Sequence, residues 1–160
     1  MKKSVLLALL CLTAFSTAAF ARDSGFAIGA EAASEDFNGW GGRFVFHFPR
    51  VPLYFGIGGI ADPNGFAVDF TADYWFTHSH MSGMLDYYVG LGGYLAFATY
   101  SQAAFALGAR LPIGLQIWPL RGGVLEIFLE IAPAWIPISS SAISPLTFQL
   151  QPAIGFRIWI

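Results

Sequence analysis

Ionisable side chains are sparse in this sequence, and ten polar residues stand inside apolar segments. They are six carboxylates, three arginines and one histidine: Glu31, Arg43, His47, Asp69, Asp73, Asp86, Arg110, Glu126, Glu130 and Arg157. Because arginine forks bind carboxylates well and buried charges must be paired, this set predicts a structural ion-pair network. The surplus of carboxylates also allows a small cation-preferring pore. Glu126 and Glu130 have no evident substrate cleft, so acid–base catalysis is disfavoured.

A second cluster, His78-Ser79-His80, has the residue types of two different sites. Two histidines two residues apart can bind a metal if a third ligand is near, and none is evident. A histidine beside a serine can activate a nucleophile, as in membrane lipid-modifying enzymes. We interpret the cluster as a polar turn, and we expect no catalytic activity, cofactor or metal.

The composition restricts the class of protein. Of the 160 residues, 56% are hydrophobic and 11% are charged, whereas soluble domains average about 25% charged residues. An ordinary soluble enzyme and a disordered chain are both disfavoured. The formal net charge of −2 argues against a nucleic-acid partner.

Residues 1–21 have the pattern of a secretory signal peptide. Lys2 and Lys3 precede an apolar run, and Ala19-Phe20-Ala21 forms a small-x-small cleavage site. We therefore expect Sec export, with residues 22–160 as the mature domain. Cleavage after Ala21 would remove both lysines and Cys11, which leaves no thiol for disulfides or catalysis.

The rest of the chain alternates with a period of two residues, which is typical of β-strands. In residues 66–76, for example, Phe66, Val68 and Phe70 fall on one face, and Asp69 and Asp73 fall on the other. Every charge inside a predicted strand lies on the less apolar face of that strand. Eight segments show the pattern, and turn residues separate them: 26–32, 40–48, 53–58, 66–76, 85–92, 105–116, 124–131 and 148–160.

Eight such strands fit two antiparallel barrels that differ in which face points inward. A soluble lipid-binding barrel has an apolar interior, whereas an outer-membrane barrel is apolar outside and polar inside. The few charges and the many large apolar residues favour an all-β, eight-stranded antiparallel transmembrane β-barrel. A helical span over Tyr87–Ala109 is a weaker alternative. Pro112 and Pro152 cannot donate to a ladder, so we expect an irregularity near Pro112.

Four stretches carry a resemblance to a known family: Tyr87–Tyr94, Arg110–Leu115, Leu125–Pro133 and Ala153–Ile160. The chain resembles small outer-membrane β-barrels of unknown function found notably in spirochaetes, which are themselves similar to OmpX and the OmpA transmembrane domain. The resemblance implies eight strands, insertion in the outer membrane and no agreed enzymatic activity. The last eight residues resemble the signal by which the barrel assembly machinery recognises its substrates.

The longest predicted loop, Pro133–Pro145, is apolar and uncharged, which is typical of a surface contact. It could instead fold over the barrel mouth or extend the strands beside it. Its candidate contact residues are Trp135, Ile136, Ile138 and Ile143. The sequence thus predicts a monomeric barrel in outer-membrane lipid with a structural or surface-interaction role. The alternatives are a small cation pore, a channel for hydrophobic compounds, a lipid-modifying enzyme or a soluble lipid carrier.

Overall fold

A computed structural model describes residues 25–35, 40–62, 65–99, 103–120, 122–140 and 147–160, so the predicted signal peptide lies outside the described residues. The regular structure within these ranges consists of nine strands: β1 (Ala27–Ser34), β2 (Trp40–His47), β3 (Tyr54–Asp62), β4 (Gly65–Ser82), β5 (Leu85–Thr99), β6 (Ala103–Arg110), β7 (Ile113–Ile117), β8 (Leu125–Ser139) and β9 (Thr147–Trp159). No helix in the described ranges is long and apolar enough to cross a membrane.

The strand pairings close into a ring with eight strand positions. Strands β1 to β5 pair in order, β8 pairs with β9, and β9 returns to β1 with Trp159 opposite Ala27. Strands β6 and β7 together occupy one of these positions, because both pair with β5 and with β8. Every pairing is antiparallel, so the predicted eight-stranded all-β fold is confirmed. The helical alternative over Tyr87–Ala109 is wrong, since these residues lie in β5 and β6.

The strand position shared by β6 and β7 is interrupted at Leu111 and Pro112. Proline has no N–H to donate, which prevents a regular ladder at this position. The backbone still bridges the gap, because Gly90 N donates to Pro112 O at 2.8 Å and Leu111 N donates to Pro133 O at 2.9 Å. Pro152, in contrast, lies within β9 without ending that strand.

Strand β4 is longer than the sequence predicts, and a bulge changes its facing. Trp75 pairs with Gly90 and Thr77 with Val89, so Phe76 is an extra residue between them. A single extra residue exchanges the two faces of the rest of a strand. The predicted turn at residues 77–82 is therefore wrong, since these residues belong to β4 and the chain turns at residues 83–84.

The two faces of the wall differ in chemistry. Large apolar side chains cover the outside, among them Phe44, Leu129 and Phe148, which are 71%, 53% and 76% exposed. The inward positions hold the charged residues together with alanines, glycines and aromatic rings. Because side chains alternate along each strand outside the bulges, the same backbone presents an apolar outer surface and a polar lumen.

Candidate functional site

Three arginines, Arg43, Arg110 and Arg157, lie in the lumen, and none is more than 5% exposed. Each is bound by at least one carboxylate from another strand. We refer to these groups as the three arginine clusters. Their side chains, with the aromatic rings described below, lie in the interior of the barrel.

The Arg43 cluster joins strands β1, β2 and β4. Arg43 forms ion pairs with Glu31 and Asp69, and its Nε donates to Asp69 Oδ2 at 2.7 Å. Gly56 lies directly beside the arginine, and a Cβ at this position would stand 2.5 Å from Arg43 Cδ. A glycine is therefore needed on β3 to leave room for the guanidinium stem.

The Arg110 cluster occupies a second region of the lumen. Arg110 forms an ion pair with Glu130, its Nε lies 3.2 Å from Asp73 Oδ1, and its NH1 donates to Gln151 Oε1 at 3.1 Å. The Tyr88 hydroxyl donates to the second oxygen of Glu130 at 2.6 Å. This cluster ties together strands β4, β5, β6, β8 and β9.

The Arg157 cluster centres on the fully buried carboxylate of Glu126. Arg157 forms an ion pair with Glu126, and Gln116 Nε2 and Trp159 Nε1 each donate to that carboxylate at 2.8 Å. The guanidinium of Arg157 also lies over the Phe128 ring, with Cζ 3.9 Å from the ring centroid. The charge is thus held by both carboxylate and aromatic partners.

The remaining predicted polar residues, His47 and Asp86, lie near one end of the barrel. We call this end the terminal mouth, because residues 25 and 160, the turns at 48–53 and 83–84, and residues 118–120 and 122–124 meet there. His47 Nδ1 stands 3.0 Å from the carbonyl oxygen of Gly25. Asp86 faces both histidines of the second cluster, with Oδ1 2.7 Å from His80 Nδ1 and Oδ2 3.9 Å from His78 Nε2.

The β4 bulge places His78 and His80 on the same face as Asp86. No sign of the bulge is present in the sequence, so Asp86 could not be recognised there as their neighbour. Within the described part of the chain, no group of three His, Cys, Asp or Glu side chains could hold a metal ion.

Sequence reasoning passed over the aromatic part of the lumen. The Tyr54 and Trp75 rings stack with centroids 3.5 Å apart, and the Trp75 and Tyr88 rings stack with centroids 3.8 Å apart. All three side chains are buried. For Trp75 and Tyr88 a signal was available in the sequence, since each lies an even number of residues from an aspartate of its own strand, Asp73 and Asp86.

The predicted contact loop needs correction. Trp135, Ile136 and Ile138 belong to β8, which continues to Ser139 because residues 132–136 remain paired with β9. Ile136 is fully buried and packs with Tyr94 in the lumen, whereas Trp135 and Ile138 are exposed on the outer wall. Ile143 lies outside the described residues.

Little space remains between the Arg110 and Arg157 clusters. The cavity that Glu31, Asp73, Arg110, Glu130 and Arg157 line leaves about 10 Å³ for solvent. A water molecule needs about 10–15 Å³ of such space. This part of the lumen therefore holds one water at most.

Two solved structures are similar to this chain over almost their full length. Neisserial surface protein A matches with a TM-score of 0.60 and 14% identity, and the match covers 86% of this chain and 98% of that one. This chain has the fold of a small outer-membrane β-barrel. The N-terminal β-barrel domain of Pseudomonas aeruginosa OprF matches with a TM-score of 0.57, 15% identity and the same coverage. The small outer-membrane barrel fold expected from the sequence resemblance is thus confirmed.

No family model matches the chain, and neither does any curated protein.

Proposed function

We propose that this protein is an integral, multi-pass barrel of the bacterial outer membrane with a structural or surface-interaction role. In this proposal it carries no enzymatic activity and reaches the membrane by Sec export, after removal of residues 1–21. The fold shared with two outer-membrane barrels, one of them named a surface protein, supports this assignment.

The set of ion pairs across the lumen is the observation that carries the proposal. Three arginines and their carboxylate partners occupy it, and about 10 Å³ is left for solvent between two of the clusters. Eight-stranded barrels are generally just wide enough for side chains to fill them. A closed, ion-paired interior favours a rigid scaffold over a conduit.

The outer face supports lipid as the main partner of the barrel. Its apolar side chains, such as Phe70, Leu115 and Ile154, would be unfavourable in water and are typical of a surface in hydrocarbon. A closed ring also satisfies the backbone groups that a bilayer cannot. We expect a monomer, inserted by the barrel assembly machinery through its last strand, β9.

Conductance across a planar bilayer tests the closed lumen. The refolded full chain should insert without discrete current steps at physiological salt, while a general porin in the same bilayer should conduct. Cation-selective steps would instead support a small pore. That second candidate is favoured by one observation, the excess of six lumen carboxylates over three lumen arginines.

Fractionation tests the membrane assignment separately. Expressed with its N-terminal segment, the protein should sediment with outer membranes and require detergent for extraction. Recovery from the aqueous periplasmic fraction would contradict the proposal and favour a soluble lipid carrier.

A further inference from the structure

A continuous path of aromatic rings runs from the middle of the lumen to the terminal mouth. Tyr88, Trp75 and Tyr54 form a stack with interplanar angles of 15° and 13°. The Tyr54 and Trp159 ring centroids are 6.4 Å apart, and those of Trp159 and Trp118 are 6.1 Å apart. The first of these two pairs is edge-on and the second is tilted, and both separations are within ordinary aromatic contact. Five oxidisable rings are thus joined with no gap.

The two ends of the path differ in a way that gives it a direction. At the terminal mouth, Trp159 and the buried Trp118 line a recess of about 480 Å³. At the inner end, Tyr88 is fully buried, and its hydroxyl donates to the Glu130 carboxylate at 2.6 Å. One end borders a recess, and the other has a proton acceptor already in contact.

These features suit the one-electron chemistry of aromatic side chains. Tryptophan and tyrosine are the most readily oxidised rings in proteins, and closely spaced rings exchange an electron vacancy. Oxidised tyrosine becomes a stable neutral radical only if its phenolic proton has somewhere to go. Tyr88 meets that condition, because its hydrogen bond already points at the carboxylate of Glu130.

The position of Arg157 influences which ring holds the electron vacancy at the end of the transfer. Its Cζ lies 5.1 Å from the Trp75 ring centroid and 5.2 Å from that of Tyr54. A cation near a ring stabilises its electrons, so a radical cation on Trp75 or Tyr54 is disfavoured. A neutral tyrosyl radical at Tyr88 carries no added charge, which makes it the favoured end point.

From this geometry we infer that the barrel acts as a sink for one-electron oxidants, such as peroxyl radicals, that reach the recess at the terminal mouth. The oxidant takes one electron from Trp159 or Trp118 and, with a proton from solvent, becomes a hydroperoxide. The vacancy crosses the stacked rings of Tyr54 and Trp75 without coming to rest on either, and neither ring loses a proton; it stops at Tyr88, whose phenolic proton moves to Glu130. The relay requires only the folded lumen and is independent of whether the lumen conducts.

Photochemical oxidation of the refolded full chain in detergent tests the relay. A photogenerated ruthenium(III) polypyridyl complex serves as the one-electron oxidant, and freeze-quenched samples are examined by electron paramagnetic resonance. The parent protein should yield a neutral tyrosyl radical that forms more slowly in D₂O. Oxidation that stops at tryptophan, with no tyrosyl signal, would overturn the inference.

Two variants locate the radical. Tyr88→Phe removes only a hydroxyl and should abolish the tyrosyl signal, and Trp75→Leu should leave the radical on tryptophan. Tyr87→Phe, in the neighbouring position on the outer wall, is the matched control and should retain the full signal. A folded Tyr88→Phe variant with an unchanged tyrosyl yield would refute the assignment, even if Trp75→Leu fails to refold.

Discussion

Gly114 on β7 pairs directly with Tyr88 on β5, and the Tyr88 ring fills the space that a Gly114 side chain would need. The two residues come from strands on one side of the lumen and together fit one large ring into a narrow interior. Glycine at this position is therefore required by packing, since Gly114 has no unusual backbone angle.

Substitution of Gly114 by alanine should destabilise the barrel. The added Cβ overlaps the end of the Tyr88 ring, which is stacked on Trp75 and hydrogen-bonded to Glu130 and so has little freedom to move. Overpacking of this kind costs about 1–3 kcal/mol. Urea unfolding in lipid vesicles, followed by tryptophan fluorescence, measures the change in unfolding free energy.

Gly93→Ala is the control for that substitution, because a Cβ at Gly93 meets nothing within 4 Å. It should change the unfolding free energy by no more than about 0.5 kcal/mol. Equal destabilisation by the two alanines would contradict the assignment of lumen and outer faces on β5 and β7.

Removal of the Arg110 guanidinium should strongly destabilise the fold. Arg110→Met leaves Glu130 buried without its arginine and deprives Asp73 of its cation. Loss of one partner of a buried ion pair costs about 3–5 kcal/mol. The same urea titration should show a large decrease in the unfolding free energy for Arg110→Met. Arg50→Met, in an exposed turn, should change the unfolding free energy little.

A second substitution tests the cause of that decrease. Adding Glu130→Gln to Arg110→Met removes the unpaired charge and should recover part of the lost stability. A double variant that is no more stable than Arg110→Met would indicate that packing, rather than charge, explains the effect.

Cysteine scanning along β4 should reveal the bulge at Phe76. The sequence positions 66–160 contain no native cysteine, so each introduced thiol can carry one environment-sensitive probe. Lipid-borne quenchers should act at Phe70, Ala72 and Tyr74, and then at Thr77 instead of His78, because the extra residue exchanges the two faces. Continued quenching at even positions through His78 would exclude the bulge.

Alternation alone was sufficient to predict much of the wall. Asp69 and Asp73 on β4, and Glu126 and Glu130 on β8, are all buried, as the less apolar face of each strand indicated. The absence of an N–H on Pro112 likewise predicted the interruption between β6 and β7. These features depend on local chemistry, which a single sequence records directly.

Features that depend on neighbouring strands were not predicted. The bulge at Phe76 arises from the pairing of β4 with β5. No residue type near Phe76 indicates that the inward and outward faces of β4 exchange there. The contact of His80 with Asp86 follows from that bulge. Extension of β8 through Trp135 was one of the alternatives left open by the sequence, and the pairing of Trp135 with Phe148 on β9 decides between them.

The pairing of β1 with β9 affects the order in which the protein folds. Ala27 is paired with Trp159, so the first strand of the barrel can be completed only by the last. Contacts so distant in sequence form slowly, and until they form both edge strands keep unpaired backbone groups. Synthesis of β9 must therefore precede closure, and deletion of β9 would leave two open edges prone to aggregation.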